Sequence, residues 1–369
     1  MSRKRLYYVA ASAVVIGAMG VAPALASGGS QERRGAERQS APAGVKGGAG
    51  GGAGAHAGHG AGAAPGGAQA GGHAGHGAGG HGAQGAGQDS GQGSGEGGAL
   101  SRVAWGDAVS FSAELAGRNE VPVPGGPAVN DPDGKGTARI RIQGDRITFA
   151  ADWKGLVPSL GHIHQGRAGQ NGALKVTLFG DAMPDTVRAA AGQVTLTDAR
   201  LAREIRSDPS GFYVNFHSAE FPGGAVRGQL KKLTENFDPL GVVRGGPLSA
   251  LSDGSQEVPK SDVSKVGDPD GRAVTYLDPR VTSVRYSFAW EGIQSPSLGH
   301  IHRGAFGKNG DVVFNFFNRP VPGGVFAVSG TLTQQKADVV KRVRAYPKEY
   351  YSNIHTPEFP DGAVRGQLF

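Results

Sequence analysis

Thr137-Ala-Arg-Ile-Arg-Ile142 and Arg146-Ile-Thr-Phe-Ala-Ala151 flank Gly144-Asp145, and this stretch decides the fold class. Apolar and polar residues alternate in the first segment, which places its apolar side chains on one face of a strand. Two such segments around a short Gly-Asp connection are typical of a β-hairpin. Gly, Pro, Asn and Asp clusters separate further strand-like segments along the chain. These are Val109–Leu115, Leu174–Phe179, Phe212–Phe216, Ala225–Leu230, Ala273–Leu277, Val284–Trp290, Val312–Phe317, Tyr350–Ile354 and Ala363–Phe369.

The chain is internally duplicated. His162 and His300 are 300 − 162 = 138 positions apart, and His217 and His355 are 355 − 217 = 138 apart. Earlier matching segments are offset by 137, because the second copy has one extra residue before Pro296. A constant offset over such a length indicates a repeated domain. We expect domains at 103–233 and 246–369, joined by a linker at 234–245.

One short helix is expected in each copy. Asp198 can cap a helix that buries Leu201, Ala202 and Ile205, and residues 337–344 form the second helix, with Val339, Val340 and Val343 towards the core. Many short strands with one small helix per copy predict an all-β protein. We therefore expect two tandem antiparallel Greek-key-like β-sandwiches after a disordered N-terminal region.

The amino terminus has the pattern of a secretory signal. Arg3-Lys-Arg5 precedes an apolar run, and Ala24-Leu-Ala26 fits a cleavage site, so residues 1–26 are predicted to be removed. An uncleaved membrane anchor is the alternative, which Gly17, Gly20 and Pro23 disfavour. We expect a secreted or cell-surface protein with no membrane span after cleavage. The chain has no cysteine and therefore no disulfide.

Residues 27–100 are dominated by Gly, Ala, Gln, Ser and His. With almost no large apolar side chain, this segment is predicted to be a disordered tether. Its five histidines allow weak binding of Cu, Ni or Zn as an added role. The net charge of +7 is scattered, which argues against nucleic acid and supports attraction to an anionic cell-envelope polymer or an unknown extracellular partner.

Repeated histidines are the candidate site. In an extended segment, His162 and His164 point to one face, as do Asn215 and His217. If the two strands are adjacent, three imidazoles and an amide converge in each copy and form a site for copper or zinc. The alternative is a hydrogen-bonded cluster that fastens loops to the sheet. The second copy repeats the set as His300, His302, Asn353 and His355.

Other motifs are weaker. Gly166–Gly172 leads into a strand and not a helix, so we interpret it as a turn with positive φ at Asn171 and Gly172 and not as a phosphate loop. Arg227 and Arg365 are either surface residues of a closing strand or anion guides beside the histidines. Glu120 and Glu257, with the neighbouring Asp-Pro-Asp-Gly loops, offer too few oxygen ligands to predict a calcium site. No nucleophile elbow or paired-carboxylate motif is present.

The ordered motifs resemble a CHRD domain, the module found in chordin and in bacterial secreted proteins. They are Leu115-Ala-Gly-Arg-Asn-Glu-Val-Pro122, Gly161-His-Ile-His164, the Gly166–Gly172 segment, Tyr213-Val-Asn-Phe-His217 and Pro222-Gly-Gly-Ala-Val-Arg-Gly-Gln-Leu230, and the second copy has a matching series. The resemblance covers the chain after residue 100 and implies an extracellular β-rich module. The cysteine-rich modules that accompany the domain in chordin are absent, so growth-factor binding is not implied.

A weaker resemblance is to Cu,Zn superoxide dismutase. It implies that His162, His164 and His217 are copper ligands and that Arg227 guides the anion, with the second set in the other copy. The chain lacks that family's bridging histidine, zinc-site histidines and disulfide. The sequence therefore favours a secreted, non-enzymatic binding protein of two tandem domains, with metal coordination by the histidine triads as a secondary hypothesis beside the structural cluster. A copper-dependent superoxide-handling enzyme is the alternative.

Overall fold

The computed structural model describes residues 106–369, and the predicted signal peptide (1–26) and tether (27–100) lie outside this range. Among the described residues, no helix is long and apolar enough to cross a membrane. The described part is built almost entirely from antiparallel strands, with two short α-helices. The predicted all-β class, with one α-helix in each copy, is confirmed.

The elements of the first copy are β1 (Val109–Ala116), β2 (Lys135–Gln143), β3 (Arg146–Lys154), β4 (Leu160–Gln165), β5 (Leu174–Phe179), β6 (Val187–Thr195), α1 (Ala199–Ser207), β7 (Phe212–His217), β8 (Val226–Gln229) and β9 (Lys231–Lys232). Those of the second copy are β10 (Leu248–Asp253), β11 (Arg272–Pro279), β12 (Val284–Glu291), β13 (Leu298–Arg303), β14 (Val312–Phe317), β15 (Val325–Leu332), α2 (Ala337–Ala345), β16 (Tyr350–His355) and β17 (Val364–Gln367). Short 3₁₀ helices occupy Gly117–Asn119, Pro209–Gly211, Pro239–Val242, Gly254–Gln256 and Pro347–Glu349.

The hairpin of β2 and β3 has the predicted register. Ile142 pairs with Ile147, and Gly144 has a φ of 60° in the connecting turn, where a residue without Cβ is favoured. Ile140 and Ile142 of β2 are fully buried, whereas Arg139 of the same strand faces solvent. The alternation along this segment therefore fixes which face of the sheet packs into the core.

Each copy is a sandwich of two antiparallel sheets. In the first copy the strand orders are β6-β3-β2-β1 and β8-β7-β4-β5, and the two sheets join where β1 also pairs with β8 and β9. Aromatic side chains fill the space between them, with Phe216 in contact with both Trp153 and Phe179. The second copy repeats this arrangement, so β13 and β16 occupy the positions of β4 and β7.

Helix α1 forms where it was predicted and packs against the core of the first sandwich. The Asp198 carboxylate accepts a hydrogen bond from the Arg200 backbone N–H, which caps the helix. Ala202 and Ile205 are buried, and Leu201 packs at the edge of the same cluster. The prediction for this helix is confirmed, and α2 buries Val340 and Val343 in the same manner.

Strands β6 and β15 were not predicted, and they join the two copies. They pair with each other in antiparallel orientation, so β1-β2-β3-β6-β15-β12-β11-β10 form one continuous eight-stranded sheet. The register is symmetric about the pair of Ala190 and Val328, which are equivalent positions of the two copies. Equivalent surfaces therefore meet across a local pseudo-twofold axis.

The connection between the copies packs on this joint. The 3₁₀ helix Pro239–Val242 begins at Asp238, whose carboxylate accepts from the Leu240 N–H. Val242 packs on a surface of small residues, Ala150, Ala189, Ala191 and Ala327. The alanines allow the connecting segment to approach the sheet closely, because larger side chains would fill the space that it occupies.

Candidate histidine site

Strand register places the predicted residues on one face of the second sheet. His162 on β4 lies opposite Asn215 on β7, which in turn lies opposite Arg227 on β8. Ile163 and Val214, at the alternating positions, are fully buried in the core. The second copy repeats this row with His300, Asn353 and Arg365.

Three imidazoles converge in each copy. We call His162, His164 and His217 the first triad, and His300, His302 and His355 the second triad. In each triad, one ring nitrogen per histidine can be chosen so that all three lie within 4.8 Å of one another. Nδ1 of His162 lies 3.2 Å from Nε2 of His217, and the matching distance in the second triad is 3.1 Å. Tetrahedral zinc with bonds of 2.0–2.1 Å separates its ligand nitrogens by about 3.3 Å, so these distances fit two ligands of one ion.

Backbone carbonyls orient the other ring nitrogens. Nδ1 of His164 lies 3.1 Å from the Gly172 oxygen, and Nδ1 of His217 lies 2.9 Å from the Pro222 oxygen. A carbonyl only accepts, so both Nδ1 atoms carry the proton and both Nε2 atoms carry a lone pair. This is the outer-sphere arrangement that orients histidine ligands of metals. The second triad has the same bonds at 2.9 Å, from His302 to Gly310 and from His355 to Pro360.

Burial keeps the central histidines neutral. Burial, and next the neighbouring His217 and His164, lower the pKa of His162 to about 4. The same causes, with His355 and His302 as neighbours, lower the pKa of His300 to about 3. Both imidazoles therefore carry no charge at pH 7, as binding of a metal requires.

Glycines shape the loop that orients His164. A Cβ on Gly172 would lie 1.5 Å from the Gln165 oxygen, so no other residue fits there without a movement of the backbone. Positive φ occurs at Gly169, and the predicted positive φ at Asn171 and Gly172 is wrong. Asn171 instead donates from Nδ2 to the Val121 oxygen, which ties the loop to the segment after β1.

Arg227 holds this loop from inside. It is only 1% exposed, so the interpretation of a surface arginine is wrong. Its guanidinium lies 3.4 Å from the centroid of the Tyr213 ring and donates to the Arg167 and Gln170 oxygens at 2.9 and 2.7 Å. Strand alternation places Arg227 on the outer face as expected, but the loop covers that face. The role of an anion guide stays a prediction.

Tyr213 links the arginine to the triad, and it was missed from the sequence. Its ring stacks on His164 with an interplanar angle of 8°, and its hydroxyl accepts from the Gly172 N–H at 3.3 Å. Tyr213 shares the strand face of Asn215 and His217, so the same alternation that selected those residues was a usable signal. Tyr351 has the same role beside His302 and Arg365.

A carboxyl group lies behind the asparagine of each site. Asn215 donates to Glu120 at 3.3 Å, and Asn353 donates to both oxygens of Glu257 at 3.2 and 3.1 Å. Burial, opposed by the nearby arginine, raises the pKa of each glutamate to about 7. Asp131 of the Asp-Pro-Asp-Gly loop accepts from the Asp133 and Gly134 amides, which closes a tight turn. Glu120, Glu257 and Asp131 thus have structural contacts, and a calcium site at these residues stays untested.

The chain matches a known domain twice. Comparison with protein-family models finds the CHRD domain at residues 111–230 and again at 248–368. Together the two segments cover more than half of the chain, and they confirm the tandem duplication. A search of curated proteins found no match.

Proposed function

We propose that this protein, which belongs to the CHRD family and carries two of its domains in tandem, is a secreted binding protein that holds one zinc or copper ion in each domain. The signal-like amino terminus and the low-complexity tether support secretion and display at the cell surface. The partner there is an extracellular molecule or an envelope polymer. The ion is bound by the first triad in one domain and by the second triad in the other.

The convergence of three oriented imidazoles is the observation that carries the metal proposal. Two histidines of each triad donate from Nδ1 to a carbonyl, which aims Nε2 away from the loop. Three nitrogen donors without a thiolate suit zinc and copper. Three protein ligands also leave a coordination position for water or for a group of the partner.

The hydrogen-bonded cluster and the metal site are compatible states of the same residues. With no ion, a proton on Nδ1 of His162 bonds to Nε2 of His217 across the 3.2 Å gap. An ion would replace that proton, which then moves to Nε2 of His162. Two histidines of each triad are thus bonded to each other without metal, and buried Nε2 of His302 has no hydrogen-bond partner among residues 106–369 and is available to an ion.

Metal stoichiometry tests the proposal. The five tether histidines, His56, His59, His73, His76 and His81, are first replaced by Gln to remove binding outside the domains. We expect two equivalents of tightly bound zinc or copper per chain, one equivalent after His164→Gln, and none after His164→Gln and His302→Gln together. Mass spectrometry of the purified, untagged protein measures this. A stoichiometry near zero, or one that the substitutions do not change, contradicts the metal proposal.

A catalytic role for copper is the competing function, and the same samples separate it from binding. An enzyme accelerates superoxide decay far beyond an equal concentration of free copper in buffer, whereas a binding protein does not. The guanidinium of Arg227 donates to loop carbonyls and so has fewer donors to offer an anionic substrate. This arrangement favours binding over catalysis. Fast decay that is lost in His164→Gln would reverse this preference.

A further inference from the structure

The two copies keep the same triads but differ in a cleft beside them. In the first copy, an open cleft of about 860 Å³ lies between β1, β2, β8 and the loop that contains Gly169. Three exposed cations line it, and Arg227 forms part of its wall. Those exposed cations are Arg118, Lys135 and Lys231.

The polar lining of this cleft is mixed and not uniformly basic. Glu114 and Glu120 contribute carboxylates, and Thr137 contributes a hydroxyl that bonds to Glu114 at 3.4 Å. Oε1 of Glu120 is buried, and it has no hydrogen-bond partner within residues 106–369. Cations alone would fit any polyanion, but carboxylates repel densely charged phosphate chains and accept hydrogen bonds from hydroxyl groups.

The second copy keeps one of the three cations, because Arg272 is equivalent to Lys135, and it keeps Glu257 in place of Glu120, but it has lost the other charges. Arg118 and Lys231 are replaced by Ser255 and Phe369, and Glu114 is replaced by Leu251. Ala116, opposite Arg227, is replaced by Asp253, opposite Arg365. The Asp253 side chain accepts from Gln256 at 2.9 Å. Leu251 and Phe369 are each 58% exposed, so the second copy presents apolar surface where the first presents charge.

We propose that the cleft of the first domain binds an acidic saccharide, a chain segment that carries carboxylates and free hydroxyl groups. The exposed cations pair with the carboxylates of the sugar, and the exposed carboxylate of Glu114 accepts hydrogen bonds from its hydroxyls. Among the described residues that line the cleft, none is aromatic, so the base stacking that retains single-stranded nucleic acid has no platform there. The inference rests on the extracellular binding part of the proposed function and is independent of metal.

Calorimetric titration with tetragalacturonate tests this inference on the full chain after treatment with chelator, which keeps metal out of the measurement. We expect saturable binding of one saccharide per chain that weakens as salt is raised. A neutral tetragalactose of the same length should bind much more weakly. Arg118→Ser with Lys231→Gln should reduce the affinity about tenfold at low ionic strength, because two exposed charge pairs with the saccharide are lost.

The second domain supplies a matched control. Arg272→Gln with Lys308→Gln removes the same net charge from exposed positions there and should change the affinity less than about twofold. Equal losses in both double variants would show a general charge effect and overturn the cleft. Absence of saturable binding, equal binding of the neutral sugar, or tighter competition by polyphosphate would also overturn it. Metal stoichiometry is measured separately, so failure of one proposal does not imply failure of the other.

Discussion

Replacing Arg227 by Met should destabilise the first domain by about 2–3 kcal/mol. The guanidinium stacks on Tyr213 at 3.4 Å, and such a contact stabilises by about 2 kcal/mol when it is shielded from water. Three hydrogen bonds join it to the loop at 2.9, 2.7 and 3.3 Å. Their acceptors lie in an exposed loop and regain water when the donor is lost, so each bond contributes only about 0.5–1 kcal/mol. Methionine also removes a buried charge, and this offsets about 1–2 kcal/mol of the loss.

Urea denaturation of the full chain measures this difference. Arg203→Met, at an exposed position of α1, is the control and should change the free energy of unfolding by less than about 0.5 kcal/mol. Arg365→Met should reproduce the loss in the second domain, because its contacts with Tyr351 and the matching loop are the same. Hydrogen exchange should accelerate at the Gly172 amide, which bonds to the Tyr213 hydroxyl.

An unchanged unfolding midpoint in Arg227→Met would refute the account of a buried arginine that holds the loop. Unchanged exchange at Gly172 would refute the coupling between the arginine and the orientation of His164. If Arg227 is instead an anion guide, the substitution should leave the free energy of unfolding unchanged and alter only the association rate of a charged ligand. The two roles are therefore separated by a measurement that needs no ligand.

Three further outcomes are expected. Gly172→Ala should lower the free energy of unfolding by more than about 2 kcal/mol and reduce bound metal from two equivalents to one, while Gly180→Ala, where a Cβ meets nothing closer than 3.8 Å, should do neither. ¹⁵N–¹H correlation spectra should place the His162 proton on Nδ1 in the metal-free protein and on Nε2 after zinc is added; a proton that stays on Nδ1 would contradict His162 as a ligand. The folded-state pKa of Glu257 is raised to about 7 from 4.5, so its contribution is fully present below pH 4.5 and is lost as the pH rises through 7. Glu257→Gln mimics the protonated form and should gain stability relative to wild type between pH 5 and pH 8 in urea titrations, and a constant difference would contradict the raised pKa.

Most strands that face a single core were predicted from the sequence, although β10 was not, and the two strands at the joint were missed. Thr137–Ile142 alternates because one face meets the core and the other meets solvent. Strand β6 contains Ala189, Ala190 and Ala191, which carry little strand propensity and no alternation. These residues are small because the connecting segment packs on one side of them and the core on the other. Their conformation is set by long-range packing, which a local pattern does not contain.

For the site, the alternation along the strands identified the face that carries the site residues, but not how deeply each residue is buried. The alternation in Tyr213–His217 placed Asn215 beside the histidines, whereas the convergence of the imidazoles depends on β4 and β7 being neighbours. Arg227 was expected on the outer face and lies there, but it is buried because the loop over residues 166–172 folds back on the sheet. Such coverage arises from contacts between residues about 60 positions apart, which explains why local spacing did not reveal it.

The symmetric pairing of β6 with β15 limits how many domains this architecture can join. Each copy offers one such edge, and the two edges pair with each other about Ala190 and Val328, with a register irregularity on either side of that pair. A third tandem copy could not add to the sheet at this joint, because β6 and β15 are each already paired on both sides, so an array built through this edge stops at a pair. A single-copy relative would carry the same edge unprotected and should self-associate into a dimer. Because both copies lie in one chain, their pairing does not depend on protein concentration, as the pairing of two separate domains would.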